Sequence, residues 1–390
     1  MINFQNTHIA FESKSDVDLR RAQLLFGTIN RPWLVQVGKV LANIAGFIHF
    51  PVAWAVKPTI YRHFVGGETL EECDAVTKHL MKYRVYSVLD NSVEGGGTEE
   101  NIRKNFDEAI RSIEYARINP AVAYAVFKPT AFINAALLEK VSSKTAPLTG
   151  EEQTLFDAYR NRFEALCRRA YDLDVRILVD AESYCFQDAI DELTDAMMRK
   201  YNRQRAIVFT TFQMYRHDRM SYLSRLYDDA LANDYRIGMK FVRGAYMEKE
   251  RARAHKMGYH DPICPDKPAT DANFNNGLRY TVEHIDRFEI FCGTHNEESC
   301  RLLADLMAEK GLPKDDSRIF FAQLYGMSDN LSFNLAHEGY NACKYVPYAP
   351  VNDVLPYLIR RAEENTSIAG QTSRELTLIA SEIARRKNRG

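Results

Sequence analysis

Eight short runs rich in β-branched and aromatic residues recur from Arg84 onward, separated by amphipathic stretches. They read RVYSVLDNS, AVAYAVFKP, VRILVDAES, AIVFTTFQ, IGMKFVRGAY, FEIFCGTHN, RIFFAQLYGM and ACKYVPYAP. Between them lie segments such as TEENIRKNFDEAIRSIEYAR and DAIDELTDAMMRKY, whose apolar residues return at helical spacing. Strand alternating with helix implies parallel strands joined by helical crossovers. Eight such units are what a closed α/β barrel of the (βα)8 TIM type requires. The rival is an open doubly wound sheet, which would want a GxGxxG turn after its first strand to hold a dinucleotide. The glycine cluster found there, DNSVEGGGTEE, lacks that spacing, so the barrel is the expected fold.

Ahead of the barrel, residues 1–80 read as a helical region that packs on it, and residues 81–390 as the barrel with a C-terminal capping helix. SDVDLRRAQLLF opens with cap-type residues and continues at helical spacing. GGETLEECDAVTKHL opens on a Gly-Gly turn and an acidic first turn, which suits the positive end of a helix dipole. The segment Trp33–Val56 is long and apolar, but Gln36, Lys39, Asn43, His49 and Pro51 interrupt it. It reads as helices buried on a core or resting on a membrane surface, with a true span as the alternative. The N-terminus has no signal-peptide core, and Glu12, Asp16 and Asp18 disfavour a transit peptide.

Composition narrows the function. A net charge of -1 offers no basic field for nucleic acid. Seven scattered cysteines without a CxxC pattern argue for free thiols and against a structural metal.

Each β-rich run ends, on its carboxyl side, in residues foreign to an apolar core: Asp90, Lys128, Asp180 with Glu182, Gln213, Lys240 with Arg243, Thr294–His295–Asn296, Gln323 and Tyr348. That face of a (βα)8 barrel is where chemistry is done. Lys128 alone reads equally as a snorkelling surface lysine. Asp180 follows a run of aliphatic residues and must be paired, Lys128 being the candidate partner. His295 alone reads as a core histidine, but its neighbours make it a ligand-contacting candidate. Lys240 and Arg243 precede Gly244, where a backbone can come close to a bulky ligand; two cations around a glycine suit a pyrophosphate, with a solvated surface turn as the alternative. After the eighth run comes YLIRRAEENTS, a helix on which Arg360 and Arg361 diverge by about 100°. Pairing with Glu364 on an exposed helix would be worth only tenths of a kcal/mol, whereas an arginine fork suits a substrate carboxylate.

Taken in order, FVGGET, VFKPT, ILVDAES, TTFQMY, KFVRGAYMEKER, THN, FAQLYGM, YVPYAP and YLIRRAEEN make the chain resemble the proline dehydrogenase family from about Phe64 to Ser367. GMKFVRGAYMEKER and the LTGEEQTLFDAYRNRF insertion resemble its eukaryotic-type branch. The resemblance implies a barrel that holds FAD without a Rossmann domain and oxidises L-proline to Δ1-pyrroline-5-carboxylate, with a quinone as the final electron acceptor. It assigns Arg360 and Arg361 to the substrate carboxylate, and Lys128, Asp180, Tyr348 and Tyr357 to the rest of the substrate shell. Flavin contacts fall on Gln213, Lys240, Val242, Arg243, Gly244, Ala245, Thr294, His295, Asn296, Gln323 and Glu364. One departure concerns flavin N5: many bacterial relatives carry arginine where this chain has Lys240, and here the order is lysine, then arginine. Hydroxyproline oxidation is the alternative activity, disfavoured by Tyr348, which in the family accompanies proline. A barrel that only binds an amino acid or a partner is the non-enzymatic alternative. The expected location is cytoplasmic with peripheral contact at the inner membrane, or mitochondrial in a eukaryote. Oligomeric state is not encoded in any motif.

Overall fold

In a computed structural model the chain is described over residues 2–31, 33, 53–92, 97–367 and 371–388. Eight parallel strands close into a barrel in chain order: β1 Val85–Asn91, β2 Val122–Phe127, β3 Ile177–Val179, β4 Val208–Gln213, β5 Ile237–Val242, β6 Phe288–Gly293, β7 Ile319–Leu324 and β8 Ala342–Tyr348. All eight runs read from the sequence are strands. They form because β-branched and aromatic side chains fit a pleated surface covered on both sides; every residue of β4 and β8 is buried. β3 is shorter than its run, though the Arg176 carbonyl at one end accepts from the Ala125 N–H at 2.9 Å and the Asp180 N–H at the other donates to the Phe127 carbonyl at 3.1 Å.

The chain divides into two compact units, Met1–Val93 with Gln323–Gly390, and Glu94–Ala322. In the second unit, Tyr124 packs edge-on against Phe209, Phe291 and Phe320, with ring centroids 5.0–5.3 Å apart. Beside this aromatic layer, Arg176 lies over Tyr124 and Phe320 and pairs with Glu289 at 2.8 Å. Filled layers of this kind make the barrel interior a core and leave chemistry to its carboxyl rim.

The first unit has a core of its own, in which Phe11, Leu19, Phe26 and Phe64 pack with Val354, Leu358, Leu378 and Ile379. Helix α1, Asp16–Ile29, starts at a capping box in which Ser15 and Asp18 satisfy each other's backbone N–H groups. Helix α2 runs over Asp74–Met81, later than its sequence pattern suggested, because Glu68–Cys73 is a turn closed by the Glu68 N–H donating to Glu72 Oε2 at 2.8 Å. In the second unit, α3 Glu99–Ile118 and α5 Tyr184–Tyr201 fall where helical spacing placed them, and the LTGEEQTLFDAYRNRF insertion is also helical, within α4 Gly150–Asp172. Of the apolar segment Trp33–Val56, residues 34–52 lie outside the described residues. Among the described residues no helix is long and apolar enough to cross a membrane.

Candidate active site

Within the second unit, the carboxyl ends of β2 to β6 gather the polar residues. Lys240 on β5 donates from Nζ to Asp180 Oδ1 at 2.5 Å, and both side chains are largely buried. The sequence offered Lys128 as the partner of Asp180. Barrel geometry brings Lys240 to Asp180 as well, because side chains on alternate strands such as β3 and β5 meet inside the ring. Lys128 itself stands between β2 and a short 3-10 turn, Pro129–Phe132. That turn is held by Glu182, whose carboxylate accepts from Thr130 N at 2.7 Å and Thr130 Oγ1 at 2.5 Å. Burial pushes the Glu182 carboxyl up, against the lowering effect of these two bonds. Gln213, the last residue of β4, donates from Nε2 to the Glu182 carbonyl at 3.1 Å.

Arg243 follows β5 and is fixed through three nitrogens. Nε donates to Asp271 Oδ1 at 2.6 Å, Nη1 to Thr294 Oγ1 at 2.7 Å and Nη2 to Ser299 Oγ at 3.1 Å. Its guanidinium lies over the Phe274 ring, 4.4 Å from the centroid. Asp271 and Phe274 sit on α6, Lys267–Glu283, and Ser299 on α7, Glu297–Glu309. Burial works against ionisation of Asp271, but hydrogen bonds from Lys267 and Arg243 outweigh it and hold the carboxyl below its ordinary value. Gly244 has φ +122°, and a Cβ there would come within 2.5 Å of the Tyr215 ring. Only glycine fits, because the Tyr215 ring fills the place a side chain would take and φ lies in the left-handed half of the map. Val242 closes β5 and Ala245 lies exposed beyond Gly244. Thr294, buried after β6, accepts from the Asn296 N–H at 3.1 Å, and Asn296 Oδ1 in turn caps α7 by accepting from Ser299 N at 2.9 Å. His295 stands half-buried between them.

In the first unit, Gln323 on β7 is buried and accepts at Oε1 from Ser332 Oγ at 2.7 Å. Tyr348 ends β8, buried beside the Gly67 bridge. The helix α9, Val351–Ser367, follows β8 directly, as the sequence indicated. Arg361 is 7% exposed and lies 5.0 Å over the Tyr357 ring, while Arg360 is half-buried. The Glu364 side chain lies outside what is described.

The structure therefore sets Asp180 with Lys240 and Arg243 with Thr294, and leaves Lys128 on a turn gripped by Glu182. Sequence reading missed the supporting partners Thr130, Asp271, Ser299 and Ser332. Glu182 carried a signal, being in the same DAES motif as Asp180; Asp271 and Ser332 sit on helices, where their spacing resembles that of any surface polar residue.

The proline dehydrogenase family model matches residues 73–374, most of the chain. The chain belongs to the proline dehydrogenase family. Relatives it resembles include the carbapenem antibiotics biosynthesis protein CarD of Pectobacterium carotovorum subsp. carotovorum, 33% identical over 323 residues that cover 83% of each chain. Mitochondrial proline dehydrogenase 1 of Homo sapiens is 41% identical over 245 residues, which cover 62% of this chain and 41% of the human one. The Drosophila melanogaster counterpart is 40% identical over 250 residues, covering 62% and 37%. The matches thus span well under two-thirds of these two animal enzymes. Among solved structures, proline utilization A from Bdellovibrio bacteriovorus superposes with TM-score 0.72 at 18% identity, over 94% of this chain and 38% of that one, a likeness of fold. Within a proline dehydrogenase barrel, polar residues at strand ends are the natural place to look for cofactor and substrate contacts.

Proposed function

We propose that the chain is a flavin-dependent dehydrogenase that oxidises L-proline to Δ1-pyrroline-5-carboxylate. The observation that carries the reading is one of placement. Lys128, Asp180, Gln213, Lys240, Arg243, Thr294, Gln323 and Tyr348 all stand at or next to the carboxyl ends of barrel strands.

The residues present fit FAD. Arg243 is a planar cation held rigid by Asp271, Thr294 and Ser299, a fork of the kind that suits a pyrophosphate. Gln213, Lys240, Val242, Arg243, Gly244, Ala245, Thr294, His295, Asn296, Gln323 and Glu364 would hold the cofactor. FAD supplies a two-electron acceptor for the hydride that leaves the ring carbon beside nitrogen.

The protein's own part is binding and orientation. Arg360 and Arg361 take the substrate carboxylate, offsetting its desolvation with charge-assisted hydrogen bonds. The ring nitrogen must shed its proton before the hydride leaves, since its lone pair becomes the C=N bond. A site that presents cations stabilises the neutral amine over the ammonium form. Tyr348 and Tyr357 bound the ring, and Lys128 with Asp180 completes the shell. Fixing the substrate in reactive geometry removes a large part of the entropic barrier.

The electrons go on to a lipid-soluble quinone, and the segment Trp33–Val56 mediates contact with the membrane that holds it. Trp33 and Trp54, at 62% and 73% exposure, support this, since indole rings favour the lipid–water interface. Co-sedimentation with liposomes should fall when residues 33–56 are removed; unchanged co-sedimentation by a folded variant would contradict the docking role.

The decisive experiment is a visible spectrum of the purified protein, reconstituted with FAD, before and after addition of L-proline. Bleaching of the oxidised-flavin band is expected, with hydroxyproline bleaching it more slowly. A flavin band that proline leaves unchanged would refute the reading.

A further inference from the structure

Gln323, expected to contact the cofactor, is oriented from behind. Its Oε1 accepts the Ser332 hydroxyl at 2.7 Å in a fully buried setting. With the amide carbonyl turned to the Ser332 hydroxyl, the NH2 group points the other way. Ser332 lies on α8, Asp329–His337, in which every residue from Asp329 to Ala336 is buried.

What fixes α8 is unusual. Its N-cap, Ser328, has φ +51° and makes no side-chain cap. The start of the helix is instead held by charges from separate stretches of the first unit. Glu375, on α10 Gln371–Lys387, accepts the Ser328 N–H at 2.6 Å. Lys344 of β8 donates to the Met327 carbonyl at 2.6 Å and pairs with Asp329 at 2.8 Å. Lys14 reaches Asp329 from the N-terminal segment at 3.6 Å. His63 Nε2 meets the Gly326 carbonyl at 2.8 Å; Gly326 has φ +80°, and a Cβ on it would strike the His63 carbonyl at 2.3 Å. Further along, Asn330 donates to the Phe4 carbonyl at 3.2 Å and Asn334 to the Asn6 carbonyl at 3.3 Å. Lys14, His63 and Glu375 all fall outside residues 73–374, the part that matches the family.

We propose that Ser332 is a positioning residue for Gln323, and that the terminal segments, through Glu375 and its charged neighbours on α8, set the angle at which Gln323 meets the cofactor. The inference rests on the FAD reading above. A buried ion pair gives little net stability for its desolvation cost but fixes geometry strongly when fully hydrogen-bonded. The terminal helices therefore do more than cover apolar surface. They tie the first and last stretches of the chain to a single amide.

The test titrates FAD into the deflavinated full-length protein, following flavin fluorescence, and measures the reduction potential of the bound flavin. Ser332→Ala should weaken FAD binding about tenfold, the scale of one buried hydrogen bond. Gln323→Ala should do the same, and the double variant should bind no more weakly than Gln323→Ala alone. Ser332→Cys, nearly the same size but a poor donor, should match Ser332→Ala, and Ser332→Thr should recover most of the affinity. Glu375→Ala should weaken binding and shift the potential in the wild-type background but not in Ser332→Ala. Additive losses from Ser332→Ala and Gln323→Ala, or affinity within twofold of wild type for Ser332→Ala and Ser332→Cys, would overturn the positioning role. Unchanged affinity and potential in Glu375→Ala would overturn the part assigned to the terminal helix. A wild-type protein that takes up no FAD would sink the functional reading itself, a result distinguishable from either.

Discussion

Arg361 is the most exacting residue of the candidate site, a guanidinium buried against Tyr357 on a helix that follows the last strand. Replacing a buried charge partner typically costs about 2–5 kcal/mol. Arg361→Met should therefore lower kcat/KM for proline by that equivalent, and steady-state kinetics within twofold of wild type would remove Arg361 from the substrate shell. The residue type and its place after β8 were readable from YLIRRAEENTS. The pairing of Asp180 with Lys240 was not, because sequence order favours partners on neighbouring strands, while a barrel also brings alternate strands together inside. Asp271, Ser299 and Ser332 were invisible for a related reason. Their role is to hold another side chain, and nothing in local spacing marks a residue that acts at second hand.

At the scale of elements, the sequence spoke most clearly where local chemistry and packing agree. The eight strands are short apolar runs with polar ends, and each formed where it was read. Helix α4, which was not read as a helix, nonetheless starts on a local signal. Thr149 accepts from Glu152 N at 3.2 Å and Glu152 returns a bond to Thr149 N at 2.8 Å. Thr149→Ala should lower the unfolding free energy by about 1 kcal/mol, read from denaturant melts with an unchanged m-value. No measurable change would mean that packing alone sets where α4 starts. Helix α2 shows where such reading slips. Its Gly-Gly opening looked like a start signal, but Glu68–Cys73 turns once more before Asp74 supplies the acidic first turn.

For the molecule as a whole, buried titratable groups in both units make stability depend on pH. Burial, with Lys14 nearby, lowers His63 to about 4, so the folded protein resists the proton that the unfolded chain binds near pH 6.5. The stability this group confers is present above pH 6.5 and is lost as pH falls through 4, on the order of 3 kcal/mol in full. Glu375 and Asp195 act in the opposite sense: burial raises each to about 7, so they favour the folded state when protonated and lose that contribution as pH rises. Comparing wild type with His63→Asn isolates the first effect. The gap in Tm between the two should narrow as pH falls from 6.5 to 4, and a constant gap would show that His63 does not titrate in this way. The barrel was legible from the periodicity of its runs. The division into two compact units was not, since it depends on which distant segments share a core.

β1 finds its partner in β8, with Val85 opposite Ala342, roughly two-thirds of the chain away. During synthesis on the ribosome, therefore, β1 emerges long before the strand that will cover its edge has been made. An open edge of that length invites pairing with the wrong chain. A message cut short before Ala342 would yield a product with β1 permanently bare on that side, prone to aggregate rather than merely inactive.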